Sequence, residues 1–196
     1  MITEQHRPTG LKERLDSSSL KAIQQRVFGQ QLSTLEAEAA PHSLDNLRLV
    51  FGVTRLGLRS EVEWLPDGAF EAQTPDPDGN EIWSAGQIVN HIGHTQIGLT
   101  AWLLGLMDVA SPAGPHPLTD LTDVEQPGLL TREQSLHVLD VADRELETLF
   151  DVIPVEANLI KQAAHPRFGR AGVKGSVLMM AIHENNHLHQ IMALRF

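Results

Sequence analysis

Trp83-Ser84-Ala85-Gly86-Gln87-Ile88 opens the element on which the fold reading rests. Ser84, with Gln87 three residues on, makes a capping box. Trp83 and Ile88 bracket it as a hydrophobic staple. Together they predict a helix from here to about Met107. Along it Ile88, His91, Thr95, Leu99, Trp102 and Leu106 follow three- and four-residue steps and share one face. His91 therefore stands on the buried stripe of its helix.

The same periodicity recurs on both sides. Upstream, Leu44, Leu47, Val50, Phe51, Thr54, Leu58, Val62 and Leu65 trace one stripe, and Ser43 is a plausible N-cap. Gly52 and Gly57 each weaken that helix by roughly 1 kcal/mol against alanine, or mark a close backbone approach. Before it, Leu20, Ile23, Val27, Leu32 and Leu35 predict a helix within residues 11–40, ended by Pro41; the first ten residues are expected to be loosely held. Residues 66–82 are turn chemistry, compatible with a short hairpin. Downstream, Pro112, Pro115, Pro117 and Pro127 mark residues 108–130 as a long loop, of a length that is functional or disordered in most domains. A second capping box, Thr131 with Gln134, opens a helix with Leu136, Leu139, Leu146 and Leu149 on its stripe, and Pro154 follows its end. Residues 154–173 form a connection with a short helix conceivable at Glu156 to Ala164. The last helix runs from about Lys174 to Leu194, with Ser176, Met180, His183, His187, Gln190 and Leu194 on one face. Four strong helical stripes, without a convincing strand run or βαβ pattern, give an all-α bundle.

The totals narrow the function. A chain of 196 residues with 41% hydrophobic content supports one domain with a sizeable core. A formal net charge of -10 and a pI near 5.4 argue against a nucleic-acid partner and against an anionic membrane surface. No apolar run approaches the ~18 residues of a membrane span. The N-terminus lacks the pattern of a signal peptide, so a cytoplasmic address is expected. Cysteine is absent, so any metal sits on nitrogen and oxygen, and any thiol chemistry uses an external thiol.

Histidine spacing carries the chemistry. In His183-Glu184-Asn185-Asn186-His187-Leu188-His189-Gln190, the first two histidines are four apart, about 40° from each other on a helix. Both rings leave one face and can share a metal ion. A catalytic site wants a third protein ligand and an open position. His91, on another helix's core face, supplies it. A lone histidine on an apolar stripe is ordinarily a hydrogen-bonded structural residue; three on facing stripes shift the reading to a metal site. His94, three from His91, is a candidate hydrogen-bond donor behind the metal ligands. His189 lies about 200° round the helix from His187 and reads as a surface or dimer-interface residue. Gln190 is placed to orient His187 or a metal-bound water, or else makes a plain core hydrogen bond. His183 to His187 also match H-E-x-x-H, in which Glu184 would be the general base of a metalloprotease. Those enzymes draw a third ligand from downstream, and only nine residues follow His187 here, so Glu184 is as readily a solvated helix residue. Gln190, Glu184 and His94 are thus the candidates for catalytic roles. Lys161, Arg167, Arg170 and Lys174 cluster before the last helix, as a solvated loop or as a receptor for a substrate carboxylate or phosphate.

Trp83-Ser84 followed by His91, and His183-x-x-x-His187-x-x-Gln190 at the end, resemble the DinB/YfiT-like superfamily over about residues 44–196. The resemblance implies a four-helix bundle with one long crossover at residues 41–196; residues 1–40 lie outside it and are expected, from their own apolar spacing, to form a helical extension. It implies a divalent metal, zinc or nickel most often, held by His91, His183 and His187. It further implies a homodimer and, where activity is known in the family, a low-molecular-weight thiol as co-substrate, as in bacillithiol transferases and mycothiol-dependent isomerases. Where an Arg-Gly pair is usual in the family, this chain has Leu188-His189, which leaves the small-molecule substrate open. Thiol transfer to a small electrophile is the expected chemistry. A metal-dependent small-molecule hydrolase and a non-catalytic metal-binding or stress-associated bundle are the alternatives.

Overall fold

Three hydroxyls start the long helices. Ser43 Oγ accepts from the Asn46 amide at 3.2 Å, Ser84 Oγ from Gln87 at 3.3 Å and Thr131 Oγ1 from Gln134 at 3.2 Å. Gln87 and Gln134 return the bond to the backbone amides of Ser84 and Thr131 at 3.0 and 2.9 Å, completing both capping boxes. The computed structural model describes residues 15–71, 74–75, 82–109, 127–153, 159–165 and 167–195. Its helices are α1 (Ser17–Gln24), α2 (Leu35–Ala39), α3 (Leu44–Trp64), α4 (Ala85–Leu106), α5 (Arg132–Val152) and α6 (Val173–Ala193). Two short antiparallel pairs accompany them: β1 (Thr74–Pro75) with β2 (Ile82–Trp83), and β3 (Gln162–His165) with β4 (Gly169–Gly172).

α3 to α6 form the four-helix bundle. α3 packs chiefly on α6 and α4 on α5, with α4 also against α6 and α3 against α5. Consecutive helices α3 and α4 therefore lie across the bundle's diagonal. Gly86 and Gly93 let α4 approach α5 closely: a Cβ on Gly86 would strike the Leu130 backbone, and one on Gly93 would strike Val138. Of the two glycines in α3, Gly57 faces Leu188 of α6 and Gly52 opens to solvent space.

The apolar core falls into two clusters. One gathers Leu47, Phe51, Leu103, Leu149 and Val177 with Leu20, Ile23 and Leu35 of the N-terminal segment. The other gathers Leu58, Val62, Ile88, Ile92, Leu139 and Ile191. Between them every bundle helix contributes one polar side chain: Arg55 from α3, Gln96 from α4, Asp143 from α5 and Glu184 from α6.

Two expectations need correction. Residues 15–40 are not one helix. A π-turn at Gln25–Gly29 and a left-handed Gln31, with φ of 53°, break the run before Thr34 caps α2. Leu32, placed on the expected stripe, is 74% exposed. Residues 162–164 of the conceivable Glu156–Ala164 helix form β3 instead. Gly169, with φ of 76°, permits the tight reversal, and Gly172 lets the backbone approach the Lys161 carbonyl. Residues 156–158 of that stretch, the first ten residues, the turn at 76–81 and the loop at 110–126 lie outside the described residues. Among the described residues no helix is long and apolar enough to cross a membrane.

The N-terminal segment runs along α6. The Glu36 carboxylate accepts the amides of Gly172 and Gly175 at 2.6 and 3.1 Å, where α6 begins without a side-chain cap of its own. An anion there meets the helix's unsatisfied N–H groups and the positive end of its dipole. Lys174 Nζ donates to the Ala40 carbonyl at 2.9 Å. Near the other end of α6, Ser17 Oγ meets His189 Nε2 at 2.9 Å.

Candidate metal centre

α4 carries His91 into the bundle two turns past its cap, and α6 brings His183 and His187 from the facing side. His91 Nε2 stands 2.9 Å from His183 Nε2, and His187 Nε2 stands 3.2 Å from the same atom. Ligand nitrogens of all three rings lie within 4.8 Å of one another. Ligands at 2.0–2.1 Å on a tetrahedron stand about 3.3 Å apart. Two of the three spacings are close to that value, so the three rings could hold one small cation.

The proton arrangement fits as well. His187 Nδ1–H donates to Gln190 Oε1 at 2.6 Å, which leaves a lone pair on Nε2 facing the shared point. Burial, then the adjoining His187 and His91 rings, then Arg167, push His183 well below the usual imidazole range, so it stays neutral and able to donate electrons. The Trp83 indole packs against His91 and His187, with ring centroids at 4.8 and 6.3 Å. The residue read as a staple is therefore also one wall of the centre.

Glu184 is not the solvated helix residue that one sequence reading allowed: it is 2% exposed. Arg55 grips it by a forked pair, Nε to Oε2 at 2.9 Å and a second bond to Oε1, and also donates to Asp143 and Gln96. Burial pushes the Glu184 carboxyl upward and the guanidinium pulls it back. Burial likewise works against the Arg55 charge, but the Glu184 and Asp143 carboxylates outweigh it and raise its pKa. A guanidinium stays protonated, and Arg55 holds the Glu184 carboxyl in a two-pronged grip.

A cavity of about 560 Å³ adjoins His91 and His183. Its walls come from α4 (Ile92, His94, Thr95, Leu99), α6 (Met179, Met180), the β3–β4 hairpin (His165, Arg167, Phe168) and the N-terminal segment (Gln24, Phe28). His94 thus lines the cavity but is not among the three converging rings. Of the basic candidates only Arg167 lines it. Arg170 Nε donates to Gln162 at 3.3 Å, Lys174 is tied to Ala40, and Lys161 pairs with Asp108 at 3.1 Å. His189 is exposed at the Ser17 contact. The sequence reading did not single out Arg55, Phe28 or Phe168. Arg55 left a signal: it stands four residues after Phe51 and three before Leu58, on the buried stripe.

A family model described as the DinB superfamily matches residues 51–191. Among solved structures, one from Bacillus subtilis described as "YfiT … a probable metal-dependent hydrolase with an unusual four-helix bundle topology" superposes with a TM-score of 0.53 at 18% identity, covering 78% of this chain and 87% of that one. No curated protein sequence matches the chain.

Proposed function

The chain belongs to the DinB superfamily, and from that premise we propose a divalent-metal-dependent enzyme in which His91, His183 and His187 hold the metal and a small electrophilic molecule fills the adjoining cavity. The convergence of three imidazole nitrogens within 4.8 Å, beside a cavity of about 560 Å³, carries the reading. That volume lies within the roughly 300–1,000 Å³ of small-molecule sites. Zinc or nickel suits an all-imidazole set, and when bound would act as a Lewis acid and lower the pKa of a water or thiol. The chain's own residues prepare the site. Gln190 fixes the His187 tautomer, Trp83 packs against two of the rings, and Arg55 holds Glu184 in place. The chain has no cysteine, so a thiol nucleophile would come from outside.

We favour transfer of a low-molecular-weight thiol, on the strength of the family resemblance. That reading carries a reducing, cytoplasmic location with it, where such thiols persist. The likeness to a structure described as a probable metal-dependent hydrolase supports water as the alternative nucleophile. A homodimer is supported by an exposed apolar stripe on α3 comprising Leu49, Val53, Leu56 and Trp64.

Elemental analysis of untagged protein is expected to find about one divalent ion per chain, absent in His91→Ala and His183→Ala. Turnover of a panel of small electrophiles is expected only with added thiol. Turnover without thiol selects the hydrolase. Metal without any turnover leaves a non-catalytic binding bundle, and protein without metal ends both enzymatic readings.

A further inference from the structure

We propose that the cavity beside the three histidines selects a ligand with an aromatic body, and that Phe28, supplied by the N-terminal segment, determines that selectivity. The inference deepens the metal-site reading: it rests on that reading for where the reacting end lies, and it names the part of the molecule held beside it.

Three rings outside the histidine trio line the cavity: Phe28, His165 and Phe168. Leu99, Met179 and Met180 line it with them. Thioether sulfur is polarisable and makes favourable contacts with aromatic rings. Rings in turn attract one another in stacked or edge-on arrangements, beyond the gain from burial alone. A wall of rings and sulfurs therefore favours a flat ring over a saturated body of the same size. Two polar groups of the wall already have partners inside the protein. Glu184 is gripped by Arg55, and Gln96 accepts from Arg55 and donates to the Ala142 carbonyl at 2.9 Å.

The N-terminal segment is fastened so as to put Phe28 there. Leu20 and Ile23 of α1 are buried in the core, and Arg26 grips Glu38 of α2 by two bonds at 2.8 and 2.7 Å. Between these anchors Gln25–Gly29 is a π-turn, a form often found at functional sites. Within it Val27 packs on the core, whereas Phe28 keeps 39% of its surface exposed while lining the cavity. A phenylalanine left partly open on a cavity wall is apolar surface that a ligand would cover. Phe168, on the hairpin, is held as a platform. His165 stacks on it with centroids 3.7 Å apart, and Trp102 of α4 meets His165 and Phe168 edge-on at 5.1 and 6.3 Å. Phe28 precedes residue 51, where the family match begins, so the selectivity is set from outside the matched bundle.

Calorimetric titration of the purified, metal-bearing full chain with butanamide, 4-cyclohexylbutanamide and 4-phenylbutanamide tests the assignment. The three probes share an uncharged head and differ in the body. Burial of a six-carbon ring is expected to place both ring-bearing probes at least about tenfold above butanamide in affinity. The phenyl probe should exceed the cyclohexyl probe at least about twofold. Phe28→Leu keeps an apolar side chain without a ring; it should abolish the phenyl preference and leave butanamide affinity unchanged. Phe28→Trp should retain the preference. Metal content and melting temperature are read on each variant and should stay at the wild-type level. Equal affinity for the phenyl and cyclohexyl probes, or no binding of either, overturns the proposal. A phenyl preference that persists in Phe28→Leu overturns the role of the N-terminal segment. Should Phe28→Leu lose metal or melting temperature, Phe28→Trp decides, and a preference lost there overturns the proposal. Binding is read without turnover, and the phenyl preference should persist in protein stripped of metal, so failure of the enzymatic reading and failure of this one show separately.

Discussion

Glu184 follows a proposed metal ligand in sequence, yet its side chain answers to Arg55, 129 residues away. Such a partner is invisible to local pattern, because H-E-x-x-H fixes spacing along one helix and says nothing of what the neighbouring helix presents. The histidine trio was legible for the opposite reason: helical spacing alone places His183 with His187, and an apolar stripe alone places His91. The two roles predict different losses. Glu184→Ala leaves a buried guanidinium short of its partner and is expected to cost about 3–5 kcal/mol in urea unfolding. Gln190→Leu removes the acceptor for His187 Nδ1–H and is expected to weaken metal affinity about 10–100-fold in a competition titration, with little change in fold. His165 gives a pH signature. Burial, then Arg167, holds its pKa below the usual 6.5. The unfolded chain therefore takes up this proton first, and the contribution of His165 to stability, complete above about pH 6.5, declines as pH falls below it. Proton NMR of the His165 ring should show a midpoint below that of an unfolded peptide.

At the scale of elements, close approach is the deciding feature. α4 meets α5 over Gly93, with Val138 already in the space a side chain would need. Gly93→Val is expected to destabilise by about 1–3 kcal/mol in thermal unfolding, through overpacking and not through loss of a cap. The long helices and their caps were legible because a capping box and a 3.6-residue stripe are local signals. The N-terminal segment was not. Its apolar spacing through Leu32 imitates one helix, and only docking on α6 explains why the chain breaks between Gln25 and Gln31 and aims Glu36 at Gly172. The β3–β4 pair was equally hidden, since Gln162 to His165 shows no apolar–polar alternation. Glu36→Ala takes the carboxylate from the start of α6 and is expected to raise hydrogen exchange across residues 17–39 while leaving that of α3 and α5 unchanged.

For the whole molecule, the exposed stripe on α3 sets the expected assembly. Leu56 is 68% exposed, so Leu56→Glu should leave stability within about 0.5 kcal/mol while converting the proposed dimer to a monomer in light scattering. Inside the bundle, two apolar clusters are separated by a storey of Arg55, Gln96, Asp143 and Glu184, one side chain from each helix. Greasy faces tolerate sliding, because one leucine sits against a neighbour about as well as the next does. Charged and amide groups do not: shifting any helix by a turn, roughly 5.4 Å, would strand an ion in hydrocarbon. That storey works as a vernier between the four rods and admits one stagger alone. His183 is the residue next to Glu184 on the same rod, so the alignment that satisfies the ions is also the alignment that brings rings from α4 and α6 to equal depth.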